Sequence, residues 1–186
     1  MTRRRWLRRL AAACSLWCAF GAALTPSVSA EPGESSSFVV AAMRVQPERW
    51  NKAHNLQLLS KFAREAARRG AQLVVTCEGF LDGYAGNPKL APETTLEKYQ
   101  QICEPLDGPA LQQVAELAKE LKIHLAVGFA ELRGDESYNS VAVFAPDGDL
   151  ALHYSKTHVH GEPFNSPGKG LPVALTDIGT VGALIC

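Results

Sequence analysis

No apolar run in this 186-residue sequence reaches the ~20 residues that a membrane-spanning helix needs; AAACSLWCAFGAAL, residues 11–24, stops short. There is no net charge, with 19 Lys and Arg against 19 Asp and Glu, and no basic stripe interleaved with aromatics. A nucleic-acid partner is therefore not expected. Nor is there a CxxC pair or an HExxH segment to go with His153, His158, His160 and Cys186, so no metal site is expected. The glycines of GEPFNSPGKG do not follow a phosphate-binding pattern and shape a loop instead. Internal repeats and low-complexity tracts are lacking too, and no second domain is indicated. No cofactor is implied by any of these residues.

What is present begins with an uneven start. MTRRRWLRRL carries Arg3, Arg4, Arg5, Arg8 and Arg9 and no acid, the apolar run follows, and Val28-Ser29-Ala30 fits the small-x-small cleavage rule. A basic segment, an apolar segment and that site read as an export signal over 1–30, with periplasmic or secreted delivery. RRRWLRR resembles the twin-arginine export motif, and a general secretory signal with surplus arginines stays open beside it. Apolar sequence continues past Cys14, which argues against a lipid-anchored cysteine, and no stable membrane anchor is expected after cleavage. Losing five arginines leaves 14 basic against 19 acidic residues, a mature net charge of −5. It also leaves Cys77, Cys103 and Cys186. An odd number leaves at least one thiol unpaired in one chain, and Cys77 and Cys103 are expected to stay separate.

With 46% hydrophobic and 20% charged residues, the remainder has the composition of a globular domain. EPGESSS, within 31–37, reads as a flexible lead-in. FVVAAMRV (38–45) and QLVVT (72–76) read as buried strands. Between them Asn51 can cap a helix to about Arg69, with Leu56, Leu59, Phe62, Ala63 and Ala66 on one stripe and Gly70 at its left-handed end. Pro109 opens a second helix with Leu111, Val114, Leu117, Ala118 and Leu121 in helical period. Strands follow at 123–131, 138–145 and 150–156, the last two joined by the turn PDGD. PVALT and VGALIC complete the pattern as two short strands, the last expected to be central. The order describes a layered α/β domain.

Three chemically able residues stand where a strand gives way to a loop: Glu78 in LVVTCEGF, Lys156 in LHYSKTH and Cys186 in VGALIC. A charge beside an apolar strand is costly unless paired or used. A free thiol has pKa ~8.5 and is mostly protonated at neutral pH, so a nucleophilic cysteine needs a base within reach. Glu78 has the chemistry of that base, and Lys156 that of a cation for the charge that develops on the substrate. By alternation along a strand, Cys77 should point away from Glu78.

LVVTCEGFLDGY, GDLALHYSKTH and VGALIC, in this order and spacing, resemble the glutamate, lysine and cysteine segments of the carbon–nitrogen hydrolase (nitrilase-like) superfamily. LAVGFAE, YNSVAVFAPDG and GEPFNSPGKG support the likeness, which runs from Phe38 to Cys186. It implies a four-layer α-β-β-α sandwich, a Glu78-Lys156-Cys186 triad with Glu162 in support, and a domain over 38–186 that is incomplete on its C-terminal side. It further implies a small-molecule amide, carbamoyl or nitrile substrate and a homo-oligomer when full length. A proline often precedes the family's glutamate, and here Cys77 stands in its place. The expected activity is hydrolysis of non-peptide C–N bonds, of the amidase type, through a thioester. Nitrile or carbamoyl hydrolysis, or an inactive binding protein of the same fold, are the alternatives. The 186-residue chain by itself is expected to be inactive.

Overall fold

A computed structural model describes residues 37–186. The export segment at 1–30 lies outside the described residues, as does all but the last residue of the 31–37 lead-in. Five strands form one sheet: β1 (Val40–Ala42), β2 (Leu73–Val75), β3 (His124–Arg133), β4 (Glu136–Phe144) and β5 (Leu150–Ser155), adjacent in that order. β1, β2 and β3 run parallel, which requires crossovers. Helix α1 (Lys52–Arg68) supplies the first, and α2 (Leu96–Ile102) with α3 (Pro109–Leu121) supplies the second. β3, β4 and β5 are antiparallel and joined by tight turns.

Local chemistry explains the helix ends. The Asn51 side chain accepts from His54 N at 3.1 Å and caps α1. The chain leaves α1 through Gly70 at φ +83, where a side chain would be strained. α2 was not anticipated; Thr95 caps it by accepting from Lys98 N at 3.2 Å, inside a stretch that otherwise reads as loop.

Alternation divides the sheet into two faces. On one, Leu125, Val127, Phe129, Ala142 and Phe144 pack under Leu59 and Ala63 of α1 and Leu111, Val114 and Ala118 of α3. Each fully buried Leu, Val or Phe there contributes roughly 1.5–3 kcal/mol. On the other, Ala126, Val143 and Leu152 meet Ala174, Val181 and Ala183 of a separate hairpin, β6 (Val173–Thr176) with β7 (Gly179–Gly182). The register between β4 and β5 shifts at Val143/Phe144: Val143 pairs with Leu152 and Phe144 with Leu150, so Ala151 is an extra residue on β5.

Helices, sheet and hairpin are three layers in the expected order, and the described residues do not form a fourth. Two expectations are corrected. The first strand is only Val40–Ala42, and Phe38, Val39 and Val40 are exposed, because β1 lies at the sheet edge. The segment VGALIC is not a central strand. β7 stops at Gly182 and among the described residues pairs only with β6, and Leu184 is 78% exposed.

Candidate active site

Glu78 is set by a loop pinned at several points just past β2. Gly128 N, on β3, donates to Thr76 Oγ1 at 3.0 Å, and Leu81 N donates to Gly128 O at 3.0 Å. Gly128 has to be glycine: a Cβ there would lie 2.6 Å from Cys77 O and 2.9 Å from Gly79 N, both backbone atoms. Asn55 of α1 donates to Leu81 O at 3.0 Å and closes the loop from the helix side.

Strand register delivers the partners. Asn139 on β4 lies opposite Ala130, and Lys156 N donates to Asn139 O at 2.8 Å, continuing the β4–β5 ladder one residue past β5. Asn139 and Lys156 therefore share the face that looks toward the Glu78 loop. Asn139 Nδ2 donates to Glu78 Oε1 at 2.6 Å and to Glu162 Oε2 at 3.0 Å. The Lys156 ammonium donates to Glu78 Oε1 at 3.0 Å, Glu162 Oε1 at 2.6 Å and the backbone oxygen of Cys186 at 2.6 Å. All three of its N–H donors are engaged. Tyr84, at φ +57, sets its hydroxyl 3.2 Å from Glu78 Oε1 and 3.4 Å from Glu162 Oε1, and Asn165 donates to Glu162 Oε2 at 2.9 Å.

The electrostatics follow from burial and pairing. Burial pulls the Lys156 ammonium toward neutrality, but hydrogen bonds to Glu162 and Glu78, with their charges, outweigh it, and its pKa is raised. Burial acts to raise the Glu162 carboxyl as well, and donation from Lys156, Asn139 and Asn165 leaves it lowered. The Tyr84 hydroxyl is pushed up to about 12 by burial and by the Glu78 and Glu162 charges. Lys156 is thus a fixed cation and Glu162 a fixed anion at neutral pH. Neither is suited to shuttling a proton. The Glu78 side chain is less enclosed than that of Glu162.

Of the residues singled out from sequence, Glu78, Lys156 and Glu162 are brought together by the Lys156 ammonium. Cys186 joins them through its backbone oxygen, and it lines, with Glu78, a cavity of ≈ 420 Å³ between the sheet and residues 181–186. Cys186 is exposed, four residues past the end of β7. The expectation of a thiol at the end of a buried strand is corrected accordingly. Residues 77 and 78 lie past the end of β2, where strand alternation no longer applies, and both line that cavity. Cys77 and Cys103 are free, and burial raises both thiols, Cys103 to about 12.

The histidines lie elsewhere. His158 and His160 are exposed. His153 sits on the helix face of the sheet, where its Nε2 lies 2.9 Å from Glu131 Oε2. Glu131 is also held by Arg133 at 2.9 Å and Ser140 at 2.5 Å, and despite the upward push of burial its carboxyl falls to about 2. Among the described residues no group of three or more His, Cys, Asp or Glu is arranged to hold a metal. Asn139, Tyr84 and Asn165 were missed from the sequence. Asn139 alone carried a signal, as an amide in the middle of an apolar strand.

A carbon-nitrogen hydrolase family model matches residues 39–186. An omega-amidase of Pongo abelii is 34% identical over 135 residues, covering 72% of this chain and 44% of its own length. A cyanide hydratase of Armillaria gallica is 28% identical over 170 residues, 86% of this chain and 48% of its own. The crystal structure of Saccharomyces cerevisiae Nit3, a member of the nitrilase superfamily, superposes with TM-score 0.68 at 28% identity, over 79% of this chain and 54% of that one. The chain spans about half the length of the curated relatives it matches. With a family model covering nearly all of the described residues and a nitrilase-like fold in agreement, the chain belongs to the carbon-nitrogen hydrolase family.

Proposed function

We propose that the protein is an exported amidase acting on small non-peptide amides, with Cys186 as nucleophile, Glu78 as general base and acid, Lys156 as the cation for the developing oxyanion, and Glu162 as the carboxylate that holds Lys156. The observation that carries the reading is the Lys156 ammonium, bound at once to Glu78, Glu162 and the backbone of Cys186.

In this reading Glu78 takes the thiol proton as sulfur bonds to the amide carbon, and the carbonyl π pair moves onto oxygen. Lys156 has no spare N–H, so the oxyanion binds by taking over a donor now held by Glu78 or by the Cys186 backbone. One well-placed donor of this kind is typically worth ~10²–10³ in rate. Collapse re-forms the C=O bond and breaks C–N, and the leaving nitrogen takes the proton from Glu78. A water molecule then gives its proton to Glu78 and attacks the thioester. The carboxylic acid departs, and the sulfur recovers its proton.

The experiment incubates the complete gene product with amides, nitriles and carbamoyl compounds and searches by mass spectrometry for an adduct on the peptide containing Cys186. Nitriles belong in the panel because the relatives include a cyanide hydratase and an aliphatic nitrilase. An acyl adduct formed from amides, absent in Cys186→Ala together with all turnover, is expected. Normal turnover by a folded Cys186→Ala would overturn the assignment, and turnover of nitriles alone would move the substrate class.

A further inference from the structure

We infer that Asp82 is a positioning residue for the Glu78 loop, and that its ionised carboxylate is needed for full turnover at the site proposed above, on whose hydrolase reading this inference rests. Asp82 is 2% exposed, has no contact with Lys156 or Cys186, and was not among the residues the sequence singled out. Its Oδ2 accepts from Ala85 N at 2.8 Å and its Oδ1 from Ala130 N at 2.9 Å, while its own carbonyl accepts from Trp50 N at 3.1 Å.

The two ends of that bridge matter. Ala85 follows Tyr84 in the loop that begins with Glu78. Ala130 is the β3 residue directly opposite Asn139, which donates to both Glu78 and Glu162. One carboxylate therefore fixes the distance between the loop that presents Glu78 and Tyr84 and the strand pair that presents Asn139. The two networks also touch: Asp82, Tyr84, Asn139 and Glu162 line the same cavity of ≈ 10 Å³. Only an ionised carboxylate offers a strongly accepting oxygen to each of the two N–H groups. An amide has one such oxygen and would turn an NH₂ toward an N–H, and a protonated carboxyl keeps only one strong acceptor, its hydroxyl oxygen accepting weakly.

Burial pushes the Asp82 carboxyl up to about 6, against the pull of the Ala85, Asp82 and Ala130 amides and of Lys52. The charged and titratable groups that face it are Lys52 from α1, Tyr99 and Cys103 at α2, Cys77 and Tyr84 from its own loop, and Glu162 from the segment after β5. Tyr84, Tyr99, Cys77 and Cys103 are all raised and stay neutral, and Glu162 is lowered and stays ionised. Asp82 is the carboxylate of this set that titrates near neutrality. Its protonation as pH falls should release one end of the bridge and let Glu78 drift.

The test uses the complete gene product and an amide that it turns over. kcat should fall on the acid side with a midpoint near 6, and KM should change little. Asp82→Asn should lower kcat about tenfold or more at pH 8, lose that acid limb, and leave KM within about threefold. Hydrogen exchange gives an arm that needs neither activity nor substitution. In wild type the Ala85 and Ala130 amides, corrected for intrinsic rates, should lose protection as pH drops through 6. An Asp82→Asn protein with wild-type kcat and the same acid limb, or exchange protection at Ala85 and Ala130 that does not change with pH, would overturn the inference. If wild type turns over nothing or Cys186→Ala stays active, the hydrolase reading has failed, and the exchange arm still judges Asp82.

Discussion

Replacing Asn139 by Asp changes an NH₂ to an oxygen and hardly alters shape, yet it should be among the most damaging single substitutions outside the proposed triad. In the native site the Asn139 amide stands 2.6 Å from Glu78 Oε1 and 3.0 Å from Glu162 Oε2 and donates to both. A carboxylate there would put three negative charges around one lysine. Two unit charges 3 Å apart repel by roughly 5–6 kcal/mol at an effective dielectric constant near 20. Taking up a proton is cheaper. Holding a carboxyl of ordinary pKa ~4.3 protonated costs about 4 kcal/mol at pH 7 and about 1 kcal/mol at pH 5, and this is the pH-dependent part of the destabilisation, to which the loss of one of the two donated hydrogen bonds adds a constant part.

The sign is fixed by linkage. The shared proton raises a folded-state pKa above its unfolded value, so the mutant's stability is fully present below ~4.3 and is lost as pH rises, by about 1.4 kcal/mol per unit. Equilibrium urea unfolding of wild type, Asn139→Asp and Asn139→Ala at pH 5 and pH 7 measures it. Asn139→Ala removes two hydrogen bonds to charged groups, each worth ~1.5–3 kcal/mol, and its deficit should be much the same at both pH values. An Asn139→Asp deficit that is equal at pH 5 and pH 7 would refute the close three-carboxylate geometry.

Gly128→Ala places a methyl against Cys77 O and Gly79 N, backbone atoms with nowhere to go, so the Glu78 loop must lift away from β3. Amide turnover should drop at least about tenfold, while Gly134→Ala, in open space at φ +61, should cost only about 1 kcal/mol of stability and no activity; wild-type turnover in Gly128→Ala would contradict the close approach. Export predicts that N-terminal sequencing of the periplasmic or secreted protein begins at Glu31, and recovery of an intact N-terminus in the cytosol would remove that part of the proposal. Changing Arg3 and Arg4 together to Lys should block a twin-arginine route and be better tolerated by a general secretory one.

Much of this architecture was legible in the sequence where one residue type has one physical use. Asn51 and Gly70 bracket α1, Pro109 opens α3, and PDGD turns β4 into β5. Glu78 and Lys156 were readable as charges beside apolar strands, whereas Glu162 came only through the family resemblance. α2 was not, since its seven residues carry too few turns for a helical period to show. VGALIC shows the opposite failure. An apolar run records a preference for burial but not which neighbour provides it, and its outward residues find none among the described residues. Asn139, Tyr84 and Asp82 escaped because their roles come from tertiary register.

That register has an accounting consequence. Lys156 and Ser155 point to opposite sides of the sheet, one to Glu78 and Glu162, the other to Glu131. Count back along an unbroken ladder from the Phe144–Leu150 pair and Asn139 would meet Ser155, which would turn Lys156 under the helices. Ala151, the extra residue opposite the Val143–Phe144 step, adds the one position that brings Lys156 round instead. An alanine with no reactive group is thus what makes the lysine's number even with respect to the site. A gain or loss of a single residue within Leu150–Ser155 that shifts this ladder would turn Lys156 under the helices and is equivalent, chemically, to deleting the lysine.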